Sequence, residues 1–390
     1  MRRKIDFNIL ESLRGMAALY VCIAHCRGVL WIGGEHYLKL HPRDTWGIYD
    51  YLLLGFNMLT RLSTEFVIVF FVLSGFSISH SLRKSKEALP FYKRRFIRLY
   101  PPYVAAILWA MLVFLLISAL SSTFVDGTYD TLAFNRMKDS NELFSLSVFI
   151  KNLFYVPHLG GFLQPFWSLT MEVIFYLLAP FLFRNKNIYH LFSITLFLLA
   201  MAAKTFHWPV QTILLNFGYY NIFFSIGVAL YDHYDLVLKK AEILTRKYYA
   251  PLACLGLFFA MIAISLLGWN VLNAFLSAGM SCILIIYLLS NNRQIGWLFN
   301  VGKYSYTLYI THFPTIFLYM CLYFLVTKNP MPYIFNPLVF IPCIFVCLGV
   351  AYLQYLLVER KSKKILDGLR KKSPVEAPTQ YESAGVTQSN

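Results

Sequence analysis

Ten apolar stretches divide this chain, at 10–31, 57–80, 97–120, 166–183, 188–204, 212–231, 249–268, 271–290, 304–326 and 336–358. Each is long enough, or nearly so, to cross a bilayer. A backbone in hydrocarbon must satisfy its own hydrogen bonds, so spans of this length are helices. The expected fold class is therefore an all-α polytopic membrane protein, a bundle of about ten transmembrane helices. Composition agrees: 58% of the 390 residues are hydrophobic and 14% are charged, too few polar groups to coat a soluble domain of this size.

The net charge of +16 raises nucleic acid as a partner, and its placement argues against that reading. With the N-terminus taken as cytoplasmic, 25 of the 35 Lys and Arg residues fall on the cytoplasmic side, 9 fall outside, and Arg14 lies within the first span. That asymmetry is the positive-inside pattern. It puts both termini in the cytoplasm and makes the lipid bilayer the partner of the basic residues. The first segment follows Met1-Arg2-Arg3-Lys4 as a signal peptide would, but Arg14 interrupts it and it reads as a retained helix. An integral membrane domain is expected over 1–372. The tail at 373–390, rich in Ser, Thr, Pro, Gln and Glu, reads as disordered. The outer connection at 121–165 holds an apolar stretch, 143–156, suited to an interfacial or re-entrant helix.

Ionisable residues within spans are costly and mark pathways or reaction centres. Arg14 and His25 are eleven residues apart on one face of the first helix, about 16 Å along its axis. Glu172 lies about six residues into the fourth span, and His25 about six from the outer end of the first, which puts both about 9 Å below the outer boundary. At equal depth the carboxylate is expected to pair with the imidazole and fix its tautomer. The plain alternative is a buried ion pair joining two helices. Arg95 and Arg98, in YKRRFIRLYPPY, share a helix face and form a candidate phosphate site. The plain alternative is a positive-inside anchor, which is how Lys93 and Arg94 read. Pro101 and Pro102 distort the same helix and free backbone groups. Arg95, Arg98, Arg14 and His25 thus describe a path for an anionic ligand whose reactive end reaches His25.

Other polar residues carry weaker signals. Ser74 and Gly75 in FFVLSGF read as helix packing, with Ser74 kept as candidate cavity lining. Trp167, Ser168, Tyr309 and His312 are further candidates for that lining. Tyr309 and His312 share a face, although aromatic belts and satisfied core histidines are commoner. Cys22 and Cys26, like Cys343 and Cys347, are one turn apart, without Cys-x-x-Cys or Cys/His spacing. They read as small packing residues, and no metal is expected.

Five motifs in order, LESLRGMAALYVCIAH, FFVLSGF, RRFIRLYPPY, FWSLTMEVIFYLLAP and GKYSYTLYITHFP, with the closing LLVERK, resemble the acyltransferase-3 family of integral membrane acyltransferases. The resemblance covers about 7–360. It implies a ten-helix core that moves an acyl group, usually acetyl from acetyl-CoA, onto sugars of surface or secreted polysaccharides. It implies His25 as catalytic base, Arg14, Arg95 and Arg98 at the coenzyme A site, and Glu172 as the acidic residue of the WSLxxE motif. Glu11 and Ser12 stand where Asp and Gly are usual, mild departures of which Glu11 bears on what that carboxylate contacts. Some relatives add a periplasmic esterase domain. This core is expected to act alone or to hand its product to a separate protein.

The sequence thus predicts a membrane O-acetyltransferase of the bacterial inner membrane. Acetyl-CoA is the donor, a glycan or lipid-linked saccharide the acceptor, and glycan synthesis or export proteins are candidate partners. No permanently bound cofactor is expected. The rival from another class is a transporter or flippase for an anionic glycan or phosphorylated lipid. Another acyl donor, such as succinyl-CoA, and passage through an acyl-enzyme both stay open.

Overall fold

The computed structural model describes residues 5–31, 37–39, 41–84, 87–120, 151–154, 161–240, 242–245, 248–328 and 336–372. The regular structure among them is helical, and ten helices are long and apolar enough to cross a membrane. The chain is a multi-pass membrane protein. The helices are α1 (Glu11–Leu30), α2 (Ser63–Lys84), α3 (Ala88–Leu120), α4 (Trp167–Leu182) and α5 (Lys186–Thr205). Then come α6 (Thr212–Asp232), α7 (Tyr249–Leu266), α8 (Asn270–Ser290), α9 (Ser305–Thr327) and α10 (Pro337–Gln354). Each expected apolar stretch falls on one of them. The tail at 373–390 and most of 143–156 lie outside the described residues.

Polar caps start several of these helices. The Asn185 side chain accepts from the amides of Asn187 and Ile188 at 3.1 and 3.3 Å to open α5. Asn336 does the same for Leu338 at 2.9 Å, and Pro337 follows in a first turn where its missing N–H is no loss. Two helices outrun their apolar stretches. α3 begins at Ala88, ahead of residue 97, and α10 continues through a π-helical turn, Tyr355–Glu359, into the basic helix Arg360–Lys372. Hydropathy marks where hydrocarbon begins, not where backbone hydrogen bonding does. A helix at Ile48–Leu59, before α2, was not expected from the sequence.

α2 and α6 form the centre of the bundle, with α1 and α9 beside them. α5, α7 and α10 are peripheral and turn large apolar side chains outward, among them Leu191, Leu198, Leu252, Phe259, Phe345 and Leu353. Those faces meet lipid. Two glycine seams hold the central helices together. A Cβ on Gly75 would lie 2.0 Å from the Phe224 carbonyl oxygen, and one on Gly227 2.0 Å from that of Val72, so α2 and α6 touch backbone to backbone. At the start of α1, a Cβ on Gly15 would lie 2.1 Å from Leu298 O, and one on Gly302 2.0 Å from Glu11 O. That second seam presses the short helix Gly296–Gly302 onto α1. Small residues at these points let the packing run at closest approach.

Candidate active site

One end of α1 opens on a cleft of about 810 Å³, including its mouth. Its walls come from α1, α2, α3, α4, α9 and the π-helical turn after α10. Seven of its lining residues are charged: Arg14, Arg95, Arg98 and Lys363 against Glu11, Glu172 and Glu359.

Most of these charges are answered locally. Arg14 pairs with Glu11 one turn earlier at 2.8 Å and donates to Ser77 Oγ at 3.3 Å. Glu172 accepts from Ser74 Oγ at 2.6 Å and from the Tyr176 hydroxyl one turn along α4. The π-helical turn brings Glu359 inward, where it accepts from Thr307 Oγ1 at 2.5 Å and pairs with Lys363 at 2.7 Å. Lys363 also donates to the Lys303 carbonyl at 2.6 Å. Arg95 and Arg98 are the exceptions. The Arg95 guanidinium sits over the rings of Phe91 and Tyr176, 5.6 and 5.3 Å from their centroids. Among the described residues, neither Arg95 nor Arg98 has a carboxylate within ion-pair distance. Two half-buried guanidiniums facing one cleft are a geometry suited to an anion.

Deeper in the cleft, Tyr309 and Ser168 share a hydrogen bond of 2.7 Å, and the Tyr309 hydroxyl also donates to the Pro165 carbonyl at 3.1 Å. One turn along α9, His312 stacks obliquely on Tyr309 at 6.0 Å. His312 is fully buried, and its Nε2 lies 2.7 Å from Nδ1 of His25, with the two rings nearly parallel. The tautomers follow from the acceptor at the far end. His312 Nδ1 is 3.0 Å from the Leu308 carbonyl, which can only accept, so Nδ1 carries the proton. A neutral His312 then accepts at Nε2, His25 donates from Nδ1, and the basic lone pair of His25 resides on Nε2. The pair is a base held in one tautomer by a second imidazole.

Comparison with known proteins bears on this arrangement. The family profile described as an acyltransferase domain matches residues 7–356. The chain belongs to the acyltransferase-3 family. A stretch of 127 residues is 30% identical to acyltransferase MdmB of Streptomyces mycarofaciens, covering 32% of this chain and 30% of that protein. No solved structure matches. In this acyltransferase-3 chain Arg95 and Arg98 face the cleft beside the start of the first helix, and the tautomer-locked His25 lies about three turns beyond Arg14, towards the other end of that helix.

The expected pairing of His25 with Glu172 is not what the structure shows. Nδ1 of His25 hydrogen-bonds to His312, and Glu172 accepts from Ser74 and Tyr176. The reason is depth. Counting residues from the outer boundary presumes that the fourth helix begins at the membrane surface. The 3-10 turn Gly161–Phe166 that precedes α4 already holds Leu163 and Phe166 buried, 3% and 1% exposed. Glu172 therefore sits among groups near Arg14, beside Ser74, one turn from Ser77. Ser74, Ser168 and Tyr309 line the cleft. Trp167 packs on Phe71 and Tyr220, with centroids at 6.2 and 4.8 Å, and His312 sits behind Tyr309. Tyr306, in the same SYTLYITHF stretch as Tyr309, also lines the cleft, and Ser77, Glu359 and Lys363 line it without having been singled out. For the last two, the spacing of four in LLVERKSK was a signal.

Proposed function

We propose that this acyltransferase moves acetyl from acetyl-CoA to a sugar hydroxyl of a surface or exported glycan, in the inner membrane of a bacterium. The observation that carries the reading is the cleft itself: Arg95 and Arg98, with no carboxylate in ion-pair distance among the described residues, at one place, and Tyr309 leading to His312 and His25 at another. The lysine and arginine count supports a cytoplasmic mouth for the cleft, where acetyl-CoA is available. The donor phosphates rest on Arg95 and Arg98, with Arg14 and Lys363, paired to Glu11 and Glu359, as neighbouring donors. The thioester arm extends past Ser168 and Tyr309. The acceptor hydroxyl meets it at His25.

His25 Nε2 takes the hydroxyl proton as the sugar oxygen bonds to the thioester carbonyl carbon. The tetrahedral intermediate then expels the coenzyme A thiolate, which recovers the proton from the His25 imidazolium. The products are an acetyl ester and the free thiol, with no net proton change. His312 keeps Nδ1 of His25 occupied throughout, so the proton exchanged is always the one at Nε2. Holding both substrates at one base replaces a bimolecular encounter by an oriented one.

The test uses inside-out membrane vesicles bearing the protein, supplied with acetyl-labelled acetyl-CoA and assayed for label in alkali-labile glycan. Label that disappears in His25→Ala, with the protein still folded, supports the reading. Glycan crossing the membrane without label transfer or coenzyme A release would replace it with the transporter.

A further inference from the structure

Four cysteines converge just behind the histidine pair. Cys22 and Cys26 lie one turn apart on α1, and Cys343 and Cys347 one turn apart on α10. All four are 0% exposed. Cys26 and Cys343 face each other with their sulfurs 3.8 Å apart. The sulfurs of Cys22, Cys26 and Cys347 all lie within 4.8 Å of one another. The thiol of Cys347 points at the His312 carbonyl, 3.7 Å away. The remaining cysteines, Cys254, Cys282 and Cys321, stand outside this group on α7, α8 and α9.

A single buried cysteine is an ordinary packing residue. Two one-turn pairs turned toward each other across a helix interface are a different arrangement, because they gather three mutually close sulfurs, with Cys343 joined to them through Cys26. Thiolates about 2.3 Å from one bound metal ion stand about 3.8 Å from one another. The Cys26–Cys343 separation already has that value.

We propose that Cys22, Cys26, Cys343 and Cys347 form a soft-metal site and that its ion is Cu(I). Thiolate donors select soft ions. The choice among these follows from coordination number: the sulfurs of Cys22, Cys26 and Cys347 lie within 4.8 Å of one another, a grouping that suits a Cu(I) ion held by few thiolates, whereas a structural Zn(II) site needs a full tetrahedron of ligands. The ion's work is structural. It ties α1 to α10 beside His25, with Cys347 fixing the backbone of His312. The site is closed to solvent, so it fills as the helices assemble.

The test is metal analysis of the full-length protein, expressed in copper-supplemented cells and purified in detergent after washing with a Cu(I) chelator. Copper retained near one ion per chain, with a sulfur-only shell by X-ray absorption, is the expected result. Cys22→Ala/Cys347→Ala is expected to lose it, while Cys254→Ala/Cys282→Ala/Cys321→Ala keeps it. Both variants are checked for monodispersity, and Cys26→Ser/Cys343→Ser repeats the loss from the other side of the cluster. Zinc in place of copper overturns the assignment of the ion. Copper no higher in the wild type than in the depleted variants overturns the site and leaves these cysteines as packing.

Discussion

Nε2 of His312 accepts a hydrogen bond from Nδ1 of His25 across the contact between α1 and α9, 2.7 Å long. This one contact sets a tautomer. His312, pinned to the Leu308 carbonyl, decides which nitrogen of His25 is basic, and in the proposed reaction that nitrogen is the base.

Replacing His25 by Ala is expected to lower the rate constant for transfer by about 10²- to 10⁴-fold, the usual contribution of a positioned general base, with little change in KM for acetyl-CoA. His312→Leu is expected to fall between that variant and wild type. His312→Gln, whose amide oxygen can still accept from Nδ1, recovers part of the loss. Steady-state kinetics on the three variants decide this. Equal activity in His312→Leu and wild type would remove His312 from the mechanism.

Arg95→Ala and Arg98→Ala act on the donor. A charge-assisted hydrogen bond is worth roughly 1.5–3 kcal/mol, so each loss raises KM for acetyl-CoA by about 10- to 150-fold. The maximal rate survives at saturating donor. Arg95→Lys keeps the charge but loses the fork and the ring stacking over Tyr176, and it restores only part of the affinity. A fall in maximal rate with KM unchanged would contradict an anion-binding role.

Glu172→Gln separates two geometries. Were Glu172 the residue that orients His25, removing its charge would shift the pH dependence of the maximal rate. Its hydrogen bonds run to Ser74 and Tyr176 instead, and Tyr176 lies under Arg95. The expected outcome is an unshifted pH profile and a severalfold higher KM for acetyl-CoA. The pH–rate curve of the variant is the measurement.

The glycine seams give a stability test with its own controls. Gly75→Ala and Gly227→Ala each force a methyl group against a backbone carbonyl and are expected to destabilise by about 1–3 kcal/mol or more, seen as a lower unfolding midpoint in detergent. Gly302→Ala does the same beside Glu11 and should also weaken donor binding through Arg14. Gly256→Ala and Gly279→Ala meet no atom within 4 Å and are expected to be neutral or slightly stabilising.

The ten-helix fold was legible because hydrocarbon imposes one rule on every span, and hydropathy reads that rule directly. The features missed in the fold are those hydropathy does not encode. Residues 88–96 are helical but polar, and the π-helical turn at Tyr355–Glu359 is invisible to a smooth periodicity. In the site, spacing along one helix could group Arg95 with Arg98, or Tyr309 with His312, because such pairs are local. Which helix faces which is not local. Glu172 was assigned to His25 by depth, and depth failed because the chain enters α4 through a turn already inside the bundle. His312 reads as a satisfied core histidine in sequence, and it is one. What it satisfies is His25.

A joint made of two bare backbones has no rotamers to redistribute. The contacts at Gly75–Phe224 and Gly302–Glu11 therefore hold α2 against α6, and Gly296–Gly302 against α1, at one spacing. A long donor in the proposed reaction threads in lengthwise, thioester leading, and after transfer the spent carrier backs out along the same track. In that reading the two seams act as rails: side chains along the track can move while the backbones behind them keep their spacing.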